Sequence, residues 1–393
     1  MFAQIGILTT YYSRNYGAVL QAYATLQKLR LMGYDCELIN YKKANQTHYT
    51  PYAVIEDERN LSTLKKINRK IKNCIIKIKK ADRSLVSGSD IRDKEFDHFV
   101  QDYLVLGKVL YTSQDDFISA VDQMPYDVYL CGSDQIWNPI VHNFDDVYYL
   151  NFPTTAKKVS YASSVAYNRF TESEIERICQ AISSIDSISV REKSTAEWMQ
   201  PHMEKRVNYV IDPTFLLNKN EWLTLTSEKH FDGKYILVYL LNYNEQNKNT
   251  VNLVSELARK KGCRVICLPY TSIKFPKDIE VEYRYDIAPN DFIQLLNGAE
   301  CVITNSFHAT ALSVNLNIPF FVVSSHERNK DLQTRISDLL EETGLSNRKI
   351  YPDTQSICIE ESIDYESVNL IISKRRNEGI EYLKHALECG DTA

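Results

Sequence analysis

The chain has 393 residues, a length that suits two domains of similar size rather than one core. Hydrophobic residues make up 44% and charged residues 25% of the sequence, so both halves can bury a core beneath a polar surface. The formal net charge of −5 gives no general attraction to nucleic acid, and the sequence therefore predicts no nucleic-acid partner.

The sequence also argues against a membrane span and a disulfide framework. No run approaches the roughly 18 consecutive apolar residues of a membrane span, and no basic leader precedes the first apolar run. The nine cysteines contain no Cys-x-x-Cys pair and stand mostly in apolar runs, as buried thiols do in a reducing compartment. We therefore expect a cytoplasmic protein.

In chain order, short apolar strands alternate with longer helical patterns through the first half of the sequence. The predicted strands are residues 5–8, 36–40, 128–131, 159–162, 187–190 and 207–211, and the predicted helices are residues 18–32, 172–184 and 193–200. Strands that are apolar along their whole length and alternate with helices indicate a parallel sheet covered on both faces.

The same pattern restarts after the segment Asp212-Pro213-Thr214. Further strands are predicted at residues 235–241, 264–268, 301–304 and 320–323, and further helices at residues 247–261, 307–316 and 365–387. We predict an α/β fold of two Rossmann-like, doubly wound domains, residues 1–217 and 218–393, that face a cleft. The last helix is placed to cross back to the N-terminal domain. Ligands in such sheets bind beyond the carboxyl ends of the strands.

A basic segment interrupts the alternation. Residues 42–100 contain no clear strand, and residues 61–83 hold nine Lys or Arg and a single acid. Apolar residues recur there at three- and four-residue intervals, which predicts an amphipathic helix. Two interpretations stay open: a helix that lies on an anionic membrane surface, or a helix that packs on its own domain with a solvated basic face.

Two polar segments follow strands of the predicted N-terminal sheet. The first holds Asn15, Tyr16 and Gly17 at a helix start, with Gln21 one turn later. A helix start of this kind offers backbone N–H groups to a ligand. The second segment carries a carboxylate, two amides and an indole that suit hydrogen bonding and stacking with a sugar: Asp134, Gln135, Trp137 and Asn138. The alternative is that Asp134 and Asn138 cap a turn and Trp137 fills the core.

Two more segments carry groups that suit an anion. Arg191 leaves a predicted strand just before a helix, and a guanidinium beside a helix start can bind a carboxylate or phosphate. The alternative is a surface ion pair between Arg191 and Glu192. Asn305 or Ser306 can cap the helix at 307–316, and His308 lies in its first turn, where it can bind an anion or move a proton near neutral pH.

In order along the chain, these segments resemble the motifs of the polysaccharide pyruvyl transferase family. The matching runs extend from Asn15 to His308 and are Asn-Tyr-Gly-Ala-x-Leu-Gln-Ala, Gly-Ser-Asp-Gln-x-Trp-Asn, Ser-Val-Arg-Glu, Asp-Pro-Thr and Asn-Ser-Phe-His, with Thr-Arg-Ile-Ser at residues 334–337 beyond them. Several motifs in one order are much more specific than any single motif.

The resemblance implies a GT-B-like fold, phosphoenolpyruvate as donor and a pair of sugar hydroxyls as acceptor. The family's donor-binding arginine and histidine fall on Arg191 and His308, with Asn305 and Ser306 beside them. The N-terminal domain then becomes the acceptor side and the C-terminal domain the donor side. His308 is the expected acid, Asp134 is expected to orient or deprotonate the acceptor, and no metal or cofactor is expected. Ala309 departs from the glycine that usually follows the family's histidine.

Two other functions remain open at this stage. The first is a glycosyltransferase of the same architecture that uses a nucleotide sugar, although no acidic residue is clearly placed for a nucleotide ribose. The second is a non-catalytic sugar-binding relative, against which the intact Arg191 and His308 argue. The sequence does not identify the acceptor sugar, and it does not decide between a surface polysaccharide and a lipid-linked precursor at the inner face of the membrane.

Overall fold

A computed structural model describes residues 3–43, 88–166, 170–225, 227, 229–241, 243, 248–324, 334–357 and 362–388. The predicted basic helix at residues 61–83 lies outside this part of the chain, as does most of the predicted insertion at residues 42–100. Within the described ranges, no helix is both long enough and apolar enough to cross a membrane.

The N-terminal sheet is built of short parallel strands. Its four strands have the order β2-β1-β3-β4 and are β1 Gln4–Leu8, β2 Asp35–Leu38, β3 Val128–Cys131 and β4 Lys157–Ser160. A parallel pair, β5 Ile188–Val190 and β6 Val207–Tyr209, continues the sheet through single bridges from Val159 to Ser187 and from Ser163 to Val190. All four residues of β3 are buried, as expected for a strand with helices on both faces.

Six described helices accompany these strands: α1 Tyr16–Leu31, α2 Gly88–Tyr103, α3 Gln114–Ala120, α4 Pro139–His142, α5 Glu172–Ile182 and α6 Lys193–Met199. Helix α1 is buried along almost its whole length, including polar positions such as Gln21 and Thr25. It contacts both its own sheet and helices of the C-terminal domain. A helix that is apolar on most of its faces belongs in such an interior position.

The C-terminal sheet has six parallel strands in the order β12-β11-β10-β7-β8-β9. They are β7 Tyr235–Tyr239, β8 Arg264–Cys267, β9 Val281–Tyr283, β10 Cys301–Thr304, β11 Phe320–Val323 and β12 Lys349–Ile350. The order reverses between β7 and β10, and the crevice at such a reversal is where doubly wound sheets bind ligands.

The helices of this half of the chain are α7 Lys219–Leu223, α8 Asn249–Lys261, α9 Pro289–Asn297, α10 Phe307–Leu316, α11 Thr334–Glu342 and α12 Tyr365–Leu387. Helix α12 joins the two domains. Near its start, the Tyr365 hydroxyl donates to the carbonyl of Ile318. Near its end, the Tyr382 hydroxyl donates to the carbonyl of Ser160 at 2.9 Å. The helix therefore begins on the C-terminal domain and ends on the N-terminal one.

Candidate active site

The carboxyl ends of the two sheets bring Arg191 and His308 into contact. Arg191 directly follows β5, and His308 is the second residue of α10, which the Ser306 side chain caps by accepting from the N–H of Ala309. The Arg191 Nη1 and His308 Nε2 atoms are 3.3 Å apart although 117 positions separate the residues along the chain. Both side chains are almost fully buried.

A third residue, Asp212, lies between the two. Its Oδ2 accepts a hydrogen bond from Arg191 Nη1 at 2.7 Å and stands 3.6 Å from His308 Nε2. Its Oδ1 accepts from the backbone N–H and the hydroxyl of Thr214, at 2.9 and 2.7 Å. Asp212 is 2% exposed. The carboxylate is therefore fixed on one side by its own turn and faces the Arg191 guanidinium and the His308 imidazole on the other.

The guanidinium of Arg191 keeps one donor without a partner. Its Nε donates to Glu192 Oε1 at 3.2 Å, and its plane lies over the Phe307 ring with 4.5 Å to the centroid. Within the described part of the chain, the buried Nη2 atom has no hydrogen-bond partner. Leaving such a charged donor unsatisfied is costly, and an anion is the ligand that completes it. The ion pair considered for Arg191 and Glu192 is present, but it is buried and does not lie at the surface.

The pKa values of Asp212 and Asp134 are lowered by their neighbours. Burial by itself would raise the pKa of Asp212, yet the charges of His308 and Arg191 hold that pKa far below its usual range. Burial also opposes ionisation of Asp134, whose pKa is nevertheless lowered by His308, Arg191 and Arg335. We call Asp134, Arg191, Glu192, Asp212 and His308 the ionic cluster. It combines a positively charged donor group, an imidazole and fixed carboxylates at the cleft.

Gly17 makes the position of His308 possible. A Cβ atom built on Gly17 would lie 2.1 Å from His308 Nδ1, far inside contact distance. The helix start predicted at Gly17 therefore lies at the site. Its contact there is with His308 of the C-terminal domain. Its neighbour Asn15 caps α1 by accepting from the Gly17 N–H at 2.8 Å.

Three of the residues predicted to bind the acceptor are buried and contact other residues of the protein. Trp137 is fully buried and its Nε1 donates to the carbonyl of Tyr148 at 3.1 Å, so it fills the core and presents no face to a sugar. Tyr16 stacks on Phe292 at 4.3 Å between ring centroids. The Gln21 amide is fully buried and donates to Thr9 Oγ1 at 2.8 Å.

Asn138, which is also predicted to bind the acceptor, caps a helix. It is buried, and its Oδ1 accepts from the N–H of Ile140 at 3.0 Å as the cap of α4. Asp134 and Gln135 are only partly buried. Asp134 accepts from Thr10 Oγ1 at 3.1 Å and interacts with the charges of the ionic cluster. One atom of the Gln135 side-chain amide lies 3.0 Å from Arg335 Nη2, and assigning that atom as the amide oxygen gives a hydrogen bond between the two side chains.

Two side chains predicted to bind the donor, those of Asn305 and Ser306, accept hydrogen bonds from backbone N–H groups. The Asn305 Oδ1 accepts from the N–H of Leu241 at 2.8 Å, which ties β10 to the end of β7. Ser306 is the helix cap, and its Oγ accepts from Ala309 at 3.4 Å. In an α-helix the first N–H groups have no acceptor within the helix, so the start of α10 offers its backbone rather than these side chains.

The sequence interpretation missed three charged residues. Asp212 and Arg335 stand in the Asp-Pro-Thr and Thr-Arg-Ile-Ser motifs, to which no role was given, and Glu192 was considered only as a surface partner. The Glu192 Oε1 accepts from the Ser164 hydroxyl at 2.6 Å and from Arg191. The two motifs that contain Asp212 and Arg335 are the features of the sequence that could have pointed to these residues. Their chemical role depends on contacts between residues that are far apart in sequence.

Comparisons with known proteins agree with this architecture. A family model described as polysaccharide pyruvyl transferase matches residues 15–327. No curated protein matches the chain.

Among solved structures, UDP-GlcNAc 2-epimerase of Methanocaldococcus jannaschii in complex with UDP-GlcNAc and UDP is 12% identical, with a TM-score of 0.50 over 99% of this chain and 100% of that one. A structure from Arabidopsis thaliana complexed with UDP-L-rhamnose is 11% identical, with a TM-score of 0.50 over 99% and 98%. At these identities the likeness concerns the fold alone. The predicted fold of two Rossmann-like domains facing a cleft is confirmed.

Proposed function

This chain belongs to the polysaccharide pyruvyl transferase family, and from that premise we propose that it uses phosphoenolpyruvate to form a pyruvate ketal on a sugar. The acceptor in this proposal is a surface polysaccharide or its lipid-linked precursor. The observation that carries the donor assignment is the buried Nη2 of Arg191, which has no hydrogen-bond partner among the described residues.

Phosphoenolpyruvate carries negative charge, which suits the N–H groups of the Arg191 guanidinium. Phosphoenolpyruvate carries a carboxylate and a phosphate, and a guanidinium binds either of them through paired N–H groups. Arg191 offers Nη2, and the start of α10 adds backbone N–H groups and the positive end of the helix dipole. Because the carboxylates Asp134, Glu192 and Asp212 repel anions, we assign them to support and acceptor roles instead of donor contact.

The reaction follows from the groups of the ionic cluster. His308 donates a proton to the methylene carbon of phosphoenolpyruvate, which becomes a methyl group while positive charge develops at C2. One sugar hydroxyl attacks C2, the bond from C2 to the phosphate oxygen breaks, and phosphate leaves. A second hydroxyl of the same sugar attacks C2 and closes the ketal. Of the two hydroxyl protons released, one restores His308 and the other leaves with the phosphate.

Asp134 is the acceptor-side group in this proposal. It is partly exposed, it is ionised at neutral pH, and it projects from the loop after β3 toward the charges of Arg191 and His308. An ionised carboxylate in this position can orient a sugar hydroxyl and accept its proton. Replacement of Asp134 by Asn should therefore impair acceptor use while leaving donor affinity nearly unchanged.

A lipid-linked acceptor would place the enzyme at a membrane surface. Residues 61–83 carry nine Lys or Arg, and basic residues near an anionic bilayer contribute about 1 kcal/mol each. We propose that this segment brings the protein to anionic membranes. Co-sedimentation with anionic and neutral vesicles at low and high salt tests it, since an electrostatic attachment weakens as salt rises. Equal binding to both vesicle types would remove the proposal.

The donor is tested by phosphate release and product analysis. Purified protein is incubated with a panel of sugar acceptors and either phosphoenolpyruvate or nucleotide sugars, and products are identified by mass spectrometry and NMR. We expect a pyruvate ketal and equimolar phosphate with phosphoenolpyruvate only. Transfer of a sugar from a nucleotide would establish the glycosyltransferase alternative. Calorimetric binding of phosphoenolpyruvate without turnover on any acceptor would favour the non-catalytic relative.

A further inference from the structure

We propose that Arg335 is a second anion-binding residue of this site, which holds the phosphate group of the donor while Arg191 holds the carboxylate. The inference deepens the proposed function and rests on it for the identity of the donor. Its physical content, a phosphate bound by Arg335, can be measured without turnover. Arg335 lies in α11, beyond residues 15–327 that the family model matches.

The ring of Phe307 brings the two guanidinium groups to one place. The guanidinium carbon of Arg191 lies 4.5 Å from the ring centroid, and that of Arg335 lies 5.8 Å from it. Phe307 is the first residue of α10, so both groups stand beside the start of the helix that carries His308. Because Arg191 follows β5 of the N-terminal sheet and Arg335 belongs to α11, a ligand held by both arginines would contact both sides of the cleft.

Arg335 is oriented from across the cleft by Gln135. One atom of the Gln135 side-chain amide lies 3.0 Å from Arg335 Nη2 and 3.1 Å from Nη1, and as the amide oxygen it accepts a hydrogen bond from both. An oxygen between the two Nη atoms engages two of the five N–H donors of a guanidinium. The amide is neutral, so this contact fixes the plane of the guanidinium without cancelling its charge.

The charges around Arg191 favour Arg335 as the partner of the phosphate. Arg191 donates to Glu192 at 3.2 Å and to Asp212 at 2.7 Å, so two carboxylates already balance its charge. Its buried Nη2, which has no hydrogen-bond partner among the described residues, suits the singly charged carboxylate of the donor. A phosphate monoester carries roughly one and a half to two negative charges near pH 7 and therefore calls for a further cation.

The position of Arg335 also fits the order of events in the proposed transfer. Arg191 is 5% exposed, whereas Arg335 is only partly buried. Phosphate is the group that leaves, and the carboxylate stays with the product, so the more open side of the site suits the phosphate. The charge of Arg335 reaches the ionic cluster: it is the third group, after His308 and Arg191, that lowers the pKa of Asp134 against the effect of burial.

The test measures binding of inorganic phosphate and of pyruvate, which represent the two ends of the donor. Calorimetry, with competition against phosphoenolpyruvate, is applied to the wild type, Arg335→Gln and Arg335→Lys. In Arg335→Gln we expect the affinities for phosphate and for phosphoenolpyruvate to fall by about 10- to 100-fold, because a charged hydrogen-bonding partner is lost, while the affinity for pyruvate is unchanged. Arg335→Lys keeps the charge but not the paired N–H groups, and it should restore part of the phosphate affinity.

The matched control is Arg375→Gln. Arg375 pairs with Glu342 at the other end of α11 at 2.9 Å and lies 4.0 Å from the centroid of the Tyr209 ring. The control thus removes an arginine with similar surroundings from the same helix face, and it should leave the phosphate affinity unchanged. Circular dichroism is recorded for every variant to show that it is folded.

Gln135→Leu separates binding of a ligand from a purely structural role of Arg335. This variant removes the contact across the cleft but keeps the guanidinium, so it should reduce phosphate affinity less than Arg335→Gln does. An equal loss in the two variants would show that Arg335 acts by joining the two sides of the cleft, and the inference would be overturned.

The outcomes also separate this inference from the proposed function. Unchanged phosphate affinity in folded Arg335→Gln would overturn the inference even if phosphoenolpyruvate is the donor. Loss of pyruvate affinity with phosphate affinity retained would overturn it as well, since the two ends of the donor would be exchanged. Loss of phosphate affinity in this variant, with no turnover of phosphoenolpyruvate by the wild type, would instead retain Arg335 as a phosphate-binding residue and refute the proposed function. A wild type that binds neither phosphate nor phosphoenolpyruvate would overturn both.

Discussion

His308 and His142 are both buried histidines, and the comparison between them shows how neighbours decide what such a residue can do. His142 ends α4 and meets the edge of the Tyr148 ring at 4.7 Å between centroids. His308 instead contacts Arg191 and Asp212. Their exposed fractions are similar, 4% and 6%. Burial alone therefore does not distinguish a structural histidine from a chemical one.

Burial is the largest influence on the pKa of His142. It lowers the pKa of this imidazole to about 4, with Lys43 adding to the effect and Asp134 opposing it. His142 is consequently neutral at pH 7 and cannot give up a proton there. In the ionic cluster, the His308 ring instead lies beside Arg191 and Asp212, and the Arg191 Nη2 atom, which has no hydrogen-bond partner among the described residues, can receive an anion. The site is defined by this combination.

The largest effect is expected from His308→Gln. Glutamine keeps hydrogen bonding but has no titrating proton, so kcat should fall by about 10²–10⁴ while calorimetric affinity for phosphoenolpyruvate changes much less. His142→Gln is the matched control for the loss of a buried histidine. If His308→Gln turns over normally at saturating donor and has only lost affinity, His308 is a binding group and not the acid.

Arg191→Ala should reduce use of the donor next most strongly. A desolvated anion loses its charged partner at a cost of roughly 2–5 kcal/mol, or about 30-fold to several thousand-fold in kcat/KM for phosphoenolpyruvate. Arg284→Ala is the control, because this arginine pairs with Glu282 and Asp286 away from the cluster. Wild-type kinetics at low donor concentration would remove Arg191 from the donor site, provided that circular dichroism shows both variants folded.

Gly17→Ala tests whether the position of His308 matters. The added methyl group would stand 2.1 Å from His308 Nδ1, so the ring or α1 has to move. A displacement of about 1 Å at a reacting group can cost roughly 10²-fold in rate, and we expect a loss of about 10- to 100-fold in kcat. Gly107→Ala is the control, since its nearest contacts are an ordinary 3.4 Å. Unchanged turnover in Gly17→Ala would mean that the catalytic arrangement differs from this one.

His142→Gln should have the smallest effect on turnover, within about twofold at neutral pH, but it should change acid stability. The pKa of His142 is about 4 in the folded protein against 6.5 as its ordinary value. The unfolded chain therefore binds more protons between these values, and the wild type loses stability as the pH falls from 6.5 to 4. The loss amounts to roughly 3 kcal/mol.

In His142→Gln the contribution of this residue to the pH dependence of stability should disappear. Urea unfolding of both proteins at pH 6.5 and pH 4.5 measures it. An equal loss of stability in both proteins between these two pH values would show that His142 is not a buried histidine that stays neutral in the folded protein. The contrast drawn with His308 would then fail.

Sequence by itself determined the alternation of apolar strands and helices, because burial on both faces of a parallel sheet leaves long apolar runs such as those of β3, β7 and β10. It also determined where Arg191 and His308 lie along the chain, since Arg191 directly follows a recognisable strand and His308 lies in the first turn of a helix. The family motifs supplied their expected roles. The positions of strands and helices depend mainly on nearby residues, so they can be predicted from short stretches of sequence.

Which polar residues reach the site was decided by the tertiary structure alone. Trp137, Asn138 and Gln21 look like sugar-binding residues in sequence, yet each turns into the interior and bonds to its own domain. Asp212 stands beside a proline in an unremarkable turn, but it meets an arginine 21 positions before it and a histidine almost a hundred positions after it. Hydrogen bonding and charge act through space at a few ångströms, so partners at such separations in sequence are defined only once both domains are folded and facing each other.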